Sequence, residues 1–261
     1  MENLIAFPKL GLEFLVNRVA FSVFGKEIYW YALIILSGFL LGMLFCMNSA
    51  KKRGVNPDNI FDIAIYGLFF GVICARIYYC IFDRSSIKTF WDVFKIWEGG
   101  IAIYGAIIGA TATAYTYCKI KKLNVLEIFD LCTPGLLIGQ AVGRWGNFVN
   151  CEVFGGETNL PWGMSINGSA PIHPLFLYES LWNILGLIVI LIIRDKTKKH
   201  GTVFFFYLIW YGIGRFVLEG MRNTEYILFW GNIPASQIVA IVGVILGISG
   251  LVFLRKKKTL V

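Results

Sequence analysis

The run IYWYALIILSGFLLGMLFCM, Ile28–Met47, carries no charged side chain over its whole length. A helix rises about 1.5 Å per residue, so a segment of this length crosses the ~30 Å hydrocarbon core of a bilayer. Six further apolar runs of similar length follow: Ile63–Phe82, Ile101–Cys118, Val125–Val142, Leu175–Ile193, Val203–Met221 and Ile233–Leu254. The first and last are free of charge in their cores, whereas Arg76, Glu127, Asp130, Glu179, Arg215 and Glu219 lie within the others. The expected fold is therefore an all-α, polytopic membrane protein with seven transmembrane helices.

Composition supports this reading. The chain has 261 residues, of which 57% are hydrophobic and only 15% charged. Soluble domains average about 45–50% apolar and roughly 25% charged residues. A water-soluble enzyme, a disordered chain and a collagen-like fibre are excluded. No repeat, low-complexity linker or soluble domain stands out, and residues 1–261 read as a single transmembrane domain. The first 27 residues have neither a basic start nor a small-residue cleavage site, so they do not read as a removed signal peptide.

The net charge of +8 is unevenly distributed. Lys51, Lys52 and Arg53 follow the first span, and Lys119, Lys121 and Lys122 the third. Arg194, Lys196, Lys198 and Lys199 follow the fifth, and Arg255, Lys256, Lys257 and Lys258 the seventh. Lys9, Arg18, Lys26, Arg84, Lys88, Lys95, Arg144 and Arg222 lie on the opposite side. Because cytoplasmic loops carry the Lys/Arg excess, the expected topology has the N-terminus outside and the C-terminus in the cytoplasm. The basic balance then orients the chain and favours anionic membrane lipids, with no need of nucleic acid.

Glycines recur at four-residue spacing: Gly135, Gly139 and Gly143, then Gly67 and Gly71, Gly105 and Gly109, and Gly243 and Gly247. Small residues in this register let helices approach closely in a bilayer. The six cysteines include no C-x-x-C pair, which argues against structural disulfides and a zinc site.

Ionisable side chains at membrane depth are costly and mark functional sites. Tyr211, Arg215, Glu219 and Arg222 fall on one face of a helix. They form either a self-neutralising Arg–Glu pair or a polar stripe facing an anion-binding cavity. The segment Gly143–Gly155 follows span four and reads as an interrupted, non-helical stretch, a state tolerated at this depth only beneath protein or beside a wet cavity. Within it, Arg144 offers a donor fork suited to phosphate, Asn147 and Asn150 offer amides, and Glu152 could fix the arginine or accept from a substrate hydroxyl. A third cluster holds His173 between Pro171 and Pro174, with Tyr178 and Glu179. Its imidazole suits acid–base work, although a lone His is more often a structural hydrogen-bonder than a catalyst. Tyr104, among small residues, and Tyr31, at the outer end of span one, also fit an interfacial aromatic belt.

Taken together, G-R-W-G-N-F-V-N-C-E at 143–152, W-Y at 30–31, G-G-I-A-I-Y-G-A at 99–106, H-P-L-F-L-Y-E at 173–179 and Y-G-I-G-R-F-V-L-E-G-M-R at 211–222 resemble, in order, the motifs of bacterial phosphatidylglycerol–prolipoprotein diacylglyceryl transferases. The resemblance covers nearly the whole chain. It implies transfer of diacylglyceryl from phosphatidylglycerol to the lipobox cysteine of a preprolipoprotein, giving a thioether and glycerol 1-phosphate. It also implies reaction at the outer leaflet of the bacterial cell membrane, before signal peptidase acts, with no metal, nucleotide or other cofactor. By the same resemblance Arg144 and Arg215 would meet the phosphate, and Glu219 would hold Arg215. Asn147, Asn150, Glu152 and Gly155 would shape the headgroup pocket, Tyr31 and Tyr211 would orient the lipid, and His173 would lie in the substrate region around 144–174. Many family members carry His where this chain has Tyr104, and that His is a proposed base. Tyr104 is thus either an activated phenol or a hydrogen-bonding group beside another proton acceptor. The motif's second Gly is here Ala106. Arg76 has no role under any of these readings.

Rival classes fit less well. A lipid flippase or transporter would show internal repeats and broken helices, and neither is clear. An intramembrane protease would need a Ser–His pair better supported than Ser180 and His173.

Overall fold

The computed structural model describes residues 2–83 and 89–256. Arg84, Lys88, Lys257 and Lys258, counted above for topology, lie outside the described residues. Seven long helices are present: α1 Trp30–Lys52, α2 Pro57–Phe82, α3 Ile103–Ile120, α4 Val125–Asn150, α5 Leu175–Lys196, α6 Thr202–Glu219 and α7 Ala235–Lys256. Among the described residues, six are long and apolar enough to cross a membrane. The exception, α3, is the helix diluted by Thr and Tyr, with Thr111, Thr113, Tyr115, Thr116 and Tyr117 from its middle onward. Large apolar side chains such as Leu36, Leu44, Ile188, Leu246 and Phe253 are exposed along the helices, as a lipid-facing surface requires and a soluble one does not.

The chain forms two compact units. One comprises Met1–Leu44 and Thr133–Val261, the other Phe45–Cys132. In the first, glycines set the helix spacing as their four-residue register predicts. A Cβ on Gly42 of α1 would sit 2.6 Å from the Gly135 carbonyl oxygen of α4, and one on Gly247 of α7 would sit 2.6 Å from the Phe205 carbonyl of α6. Helices α5 and α6 interlock through Trp182 and Trp210, whose rings stack with centroids 4.4 Å apart. Each indole Nε1 donates to the other's backbone oxygen at 3.1 Å. Each ring fills the space over a glycine of the facing helix, Gly214 and Gly186.

Residues 2–27, to which the span pattern assigned no structure, and the first two residues of the expected first span form strands, with one 3-10 turn at Pro8–Leu10. Strand β1 (Glu2–Phe7) lies between β2 (Leu12–Asn17) and the short β5 (Ser165–Ile166), with Ile5 opposite both Phe14 and Ile166. Alternation buries Ile5 and Phe7, which pack with Met164, Ile172 and Phe176. A hairpin of β3 (Val19–Val23) and β4 (Lys26–Tyr29) leads straight into α1, so Ile28 is in a strand and the first span starts two residues later than expected. A second hairpin, β6 (Phe229–Trp230) with β7 (Ile233–Pro234), leads into α7.

The larger correction concerns α4. The expected break after Val142 is absent, and the helix continues through Gly143–Asn150. The glycines do not interrupt it because neighbours cover them: a Cβ on Gly146 would lie 2.8 Å from the Tyr31 ring, and one on Gly143 would lie 3.1 Å from Ile35 Cδ1. Span six is shorter than expected, since α6 stops at Glu219 and Arg222 lies beyond it.

In the second unit, Cys46, Ala50, Ile60, Ile63, Tyr117, Cys118, Ile128 and Leu131 form the core. Pro57 opens α2 behind an Asn56 cap, whose side chain accepts from the Asp58 amide at 3.0 Å.

Candidate active site

Three helices of the first unit contribute charges to one lattice. Arg144 of α4 pairs through Nε with Glu179 of α5 at 2.5 Å. Arg215 of α6 pairs with Glu219 one turn on at 2.8 Å, and its other terminal nitrogen is 3.8 Å from Glu179. Arg222 joins both acids, at 2.9 Å from Glu179 and 3.2 Å from Glu219. Both carboxylates are buried, where an unpaired charge would be costly, and three guanidiniums against two acids leave one positive charge in excess. Glu179 faces all three guanidiniums, and Glu219 shares two of them, Arg215 and Arg222.

The arginines are not equivalent. The Arg144 and Arg215 side chains remain 24% and 18% accessible, whereas Arg222 is 8% accessible. Each guanidinium carries five donors, so the first two retain N–H groups for a further oxyanion. Burial and the nearby Arg215 lower the Arg222 pKa, while Glu179 and Glu219 oppose that shift. Its position is that of a strut between the acids.

Beside the lattice, α4 ends in a reversal that brings Glu152 back onto the helix. Cys151 takes a left-handed conformation at φ 51°. Its amide donates to Phe148 O and that of Glu152 to Asn147 O, both at 3.1 Å, the paired bonds of a Schellman C-cap. The Glu152 carboxylate then accepts from Asn147 Nδ2 at 3.1 Å and Asn150 Nδ2 at 3.3 Å. Arg144 donates to Asn147 Oδ1 at 3.4 Å. Glu152 is therefore held by the asparagines, and the acid that fixes Arg144 is Glu179.

The remaining expected residues fall in distinct settings. Gly155 is required by close packing: its Cβ would lie 2.5 Å from His173 Cβ and 2.8 Å from Met221 O. Its amide donates to His173 O, and the next, Gly156, to Met221 O, each at 3.0 Å. His173 precedes α5 as its Pro neighbours imply, with Nδ1 3.3 Å from the Tyr178 hydroxyl, which in turn accepts from Trp162 Nε1 at 2.7 Å. Tyr31 packs over Gly146, and Tyr211 stacks on Tyr207 at 5.7 Å. Tyr104 belongs to the second unit, at the start of α3, with its ring 6.4 Å from that of Tyr78.

Sequence reasoning undervalued Glu179 and Arg222. Both were visible as charges in or next to a span, but spacing along one helix says nothing of a carboxylate on another.

The family profile described as prolipoprotein diacylglyceryl transferase matches residues 18–253. A phosphatidylglycerol–prolipoprotein diacylglyceryl transferase of Clostridioides difficile (strain 630) is 42% identical over 93% of this chain and 97% of its own. Proteins of the same name from Lysinibacillus sphaericus (strain C3-41) and Listeria innocua serovar 6a are 40% and 42% identical, covering 93% of this chain and 93% and 91% of theirs. A profile match of this extent, agreeing with the motif order and the multi-pass helical fold, places the chain in the prolipoprotein diacylglyceryl transferase family.

Proposed function

We propose that the protein transfers the diacylglyceryl group of phosphatidylglycerol to the lipobox cysteine of preprolipoproteins, the first step of lipoprotein maturation. The observation that carries the site assignment is the pair Arg144 and Arg215, drawn from two helices onto Glu179 while keeping accessible donors. The substrate thiol attacks the glyceryl carbon bound to phosphate. A C–S bond forms, the C–O bond breaks with its electron pair moving to the phosphate oxygen, and glycerol 1-phosphate departs. Two guanidiniums aimed at the phosphate stabilise the charge that develops there. Glu219 and Glu179 hold them in place.

Asn147, Asn150, Glu152 and Gly155 frame the glycerol headgroup, Tyr31 and Tyr211 orient the lipid, and His173 lies in the substrate region around 144–174. Tyr104 serves as a hydrogen-bonding group and not as the base, and the leaving phosphate accepts the thiol proton. An unperturbed phenol, with a pKa near 10, is almost wholly protonated at neutral pH and so cannot take the proton in the alternative role. The chain acts as one transmembrane domain in the bacterial cytoplasmic membrane, with its N-terminus outside and its C-terminus in the cytoplasm. It needs no cofactor and no nucleic-acid partner.

Purified protein incubated with labelled phosphatidylglycerol and a lipobox peptide is expected to yield a thioether-linked diacylglyceryl peptide. The same peptide with a Ser in place of its lipobox Cys is expected to give none. Absence of product from the Cys peptide, with an active relative run in parallel, would overturn the proposal.

A further inference from the structure

Arg76, the charge for which the sequence offered no use, is buried in α2 and holds a segment of the second unit made of two short 3-10 turns, Phe90–Phe94 and Ile96–Glu98, and the Gly99-Gly100 link that follows them. Its Nε donates to Val93 O at 3.0 Å, one terminal nitrogen to Gly99 O at 2.7 Å and Gly100 O at 3.0 Å, and the other to Asp92 O at 2.5 Å. The guanidinium also lies over the Tyr79 ring, 5.5 Å from its centroid. Backbone carbonyls outside a helix need such donors wherever water is scarce, as those of Gly99 and Gly100 do. Here one fork ties these two to two carbonyls of the Phe90–Phe94 turn.

The clamp closes where α3 begins. Gly99 and Gly100 have positive φ, at 90° and 71°, and a Cβ on Gly100 would collide with Arg76 Nη1 at 2.5 Å. Two residues on, the Ala102 amide donates to Ala75 O at 3.2 Å. A Cβ on Gly105 would lie 2.8 Å from Ala75 Cα and 2.6 Å from Tyr78 Cβ. Tyr104, the second residue of α3, is thus bracketed by contacts to α2 on either side of Arg76.

We propose that Arg76 is a positioning residue for the transfer reaction: by clamping the Gly99 and Gly100 carbonyls it sets the start of α3 and hence the position of the Tyr104 hydroxyl. This rests on the reading that Tyr104 serves the chemistry. Lysine keeps the charge but offers one point of donation instead of a planar fork, so it cannot gather carbonyls from both ends of the segment.

The test is a double-mutant cycle of Arg76→Lys and Tyr104→Phe in full-length protein, read as kcat and KM for phosphatidylglycerol. Misplacement by about 1 Å costs on the order of a hundredfold in rate, and Arg76→Lys is expected to lose kcat on that scale with KM little changed. In the Tyr104→Phe background the same substitution is expected to cost almost nothing more. Independent, multiplicative losses would overturn the proposal, as would full activity of Arg76→Lys alongside an impaired Tyr104→Phe. Full activity of Tyr104→Phe would instead overturn the reading of Tyr104 on which the proposal stands. Should Arg76→Lys not accumulate, Gly100→Ala, which keeps the arginine and disturbs only the clamp, carries the same cycle with the same outcomes.

Discussion

Glu179 Oε2 lies 2.5 Å from Nε of Arg144, and this one ion pair joins α4 to α5. The other carboxylate oxygen of Glu179 meets Arg222 at 2.9 Å and faces Arg215 at 3.8 Å. A single buried acid therefore orients both arginines assigned to the phosphate and the strut behind them. Glu179→Gln keeps the shape and loses the charge, leaving three guanidiniums against Glu219 alone. Removing one partner of a buried pair costs about 3–5 kcal/mol, so both the melting temperature and the transfer rate are expected to fall. Thermal melting in detergent together with the peptide assay checks this; unchanged melting would show that Glu179 is not the centre of the lattice.

Arg144 and Arg222 share that carboxylate but differ in accessibility, at 24% against 8%. Arg144→Ala is expected to abolish transfer with a small change in melting, because Glu179 keeps Arg222. Arg215→Ala is expected to abolish transfer likewise. Arg222→Ala strips both Glu179 and Glu219 and is expected to lower the melting temperature the most. The order of the three melting temperatures is the readout. Arg222→Ala melting above Arg144→Ala would reverse the assignment of strut and ligand.

Much of this was legible from residue pattern, and the remainder was not for identifiable reasons. The seven helices follow from apolar windows, and the Arg215–Glu219 pair follows from four-residue spacing on one helix. The strands over residues 2–29 escaped because short alternating runs such as Glu2–Phe7 do not fill a membrane-length window. The continuation of α4 escaped because Gly143 and Gly146 read as breaks until Ile35 and Tyr31 are seen to cover them. Glu179 was visible as a charge but not as a hub, since its partners come from three other places in the chain. Arg76 looked purposeless because its partners are backbone carbonyls, which carry no signature in side-chain identity.

The equal spacing of Gly135, Gly139 and Gly143 conceals unequal packing. At the contact with Gly135, a Cβ on Gly42 would meet a backbone oxygen at 2.6 Å, and backbone does not yield as a side chain does. Gly42→Ala is expected to destabilise by about 1–3 kcal/mol through overpacking. At Gly139 the nearest atom to an added Cβ is 3.8 Å away, an ordinary contact. Gly139→Ala is expected to be neutral or to stabilise by up to about 1 kcal/mol through helix propensity. Melting of the two variants side by side separates them, and equal destabilisation would mean that spacing alone governs the interface.

Cys151 makes a distinct chemical prediction. It occupies the left-handed C′ position after α4 at φ 51°, where glycine is the favoured residue. Burial raises its thiol pKa, Arg18 opposes that shift, and Glu152 adds to it. A raised pKa means less thiolate at any pH below it, and the thiolate is the reactive form. Cys151 is therefore expected to alkylate more slowly at pH 8 than an unperturbed thiol, its rate rising as the pH is taken higher. The acceptor cysteine in the reaction belongs to the substrate, so Cys151→Gly is expected to retain transfer activity. It is also expected to gain about 1 kcal/mol by relieving the left-handed backbone. Iodoacetamide kinetics against pH, with Cys151→Gly as the blank, measure the first effect, and its melting temperature measures the second. A thiol that reacts at pH 8 as fast as a free one would contradict the burial assigned to it, and a lower melting temperature would contradict the cap.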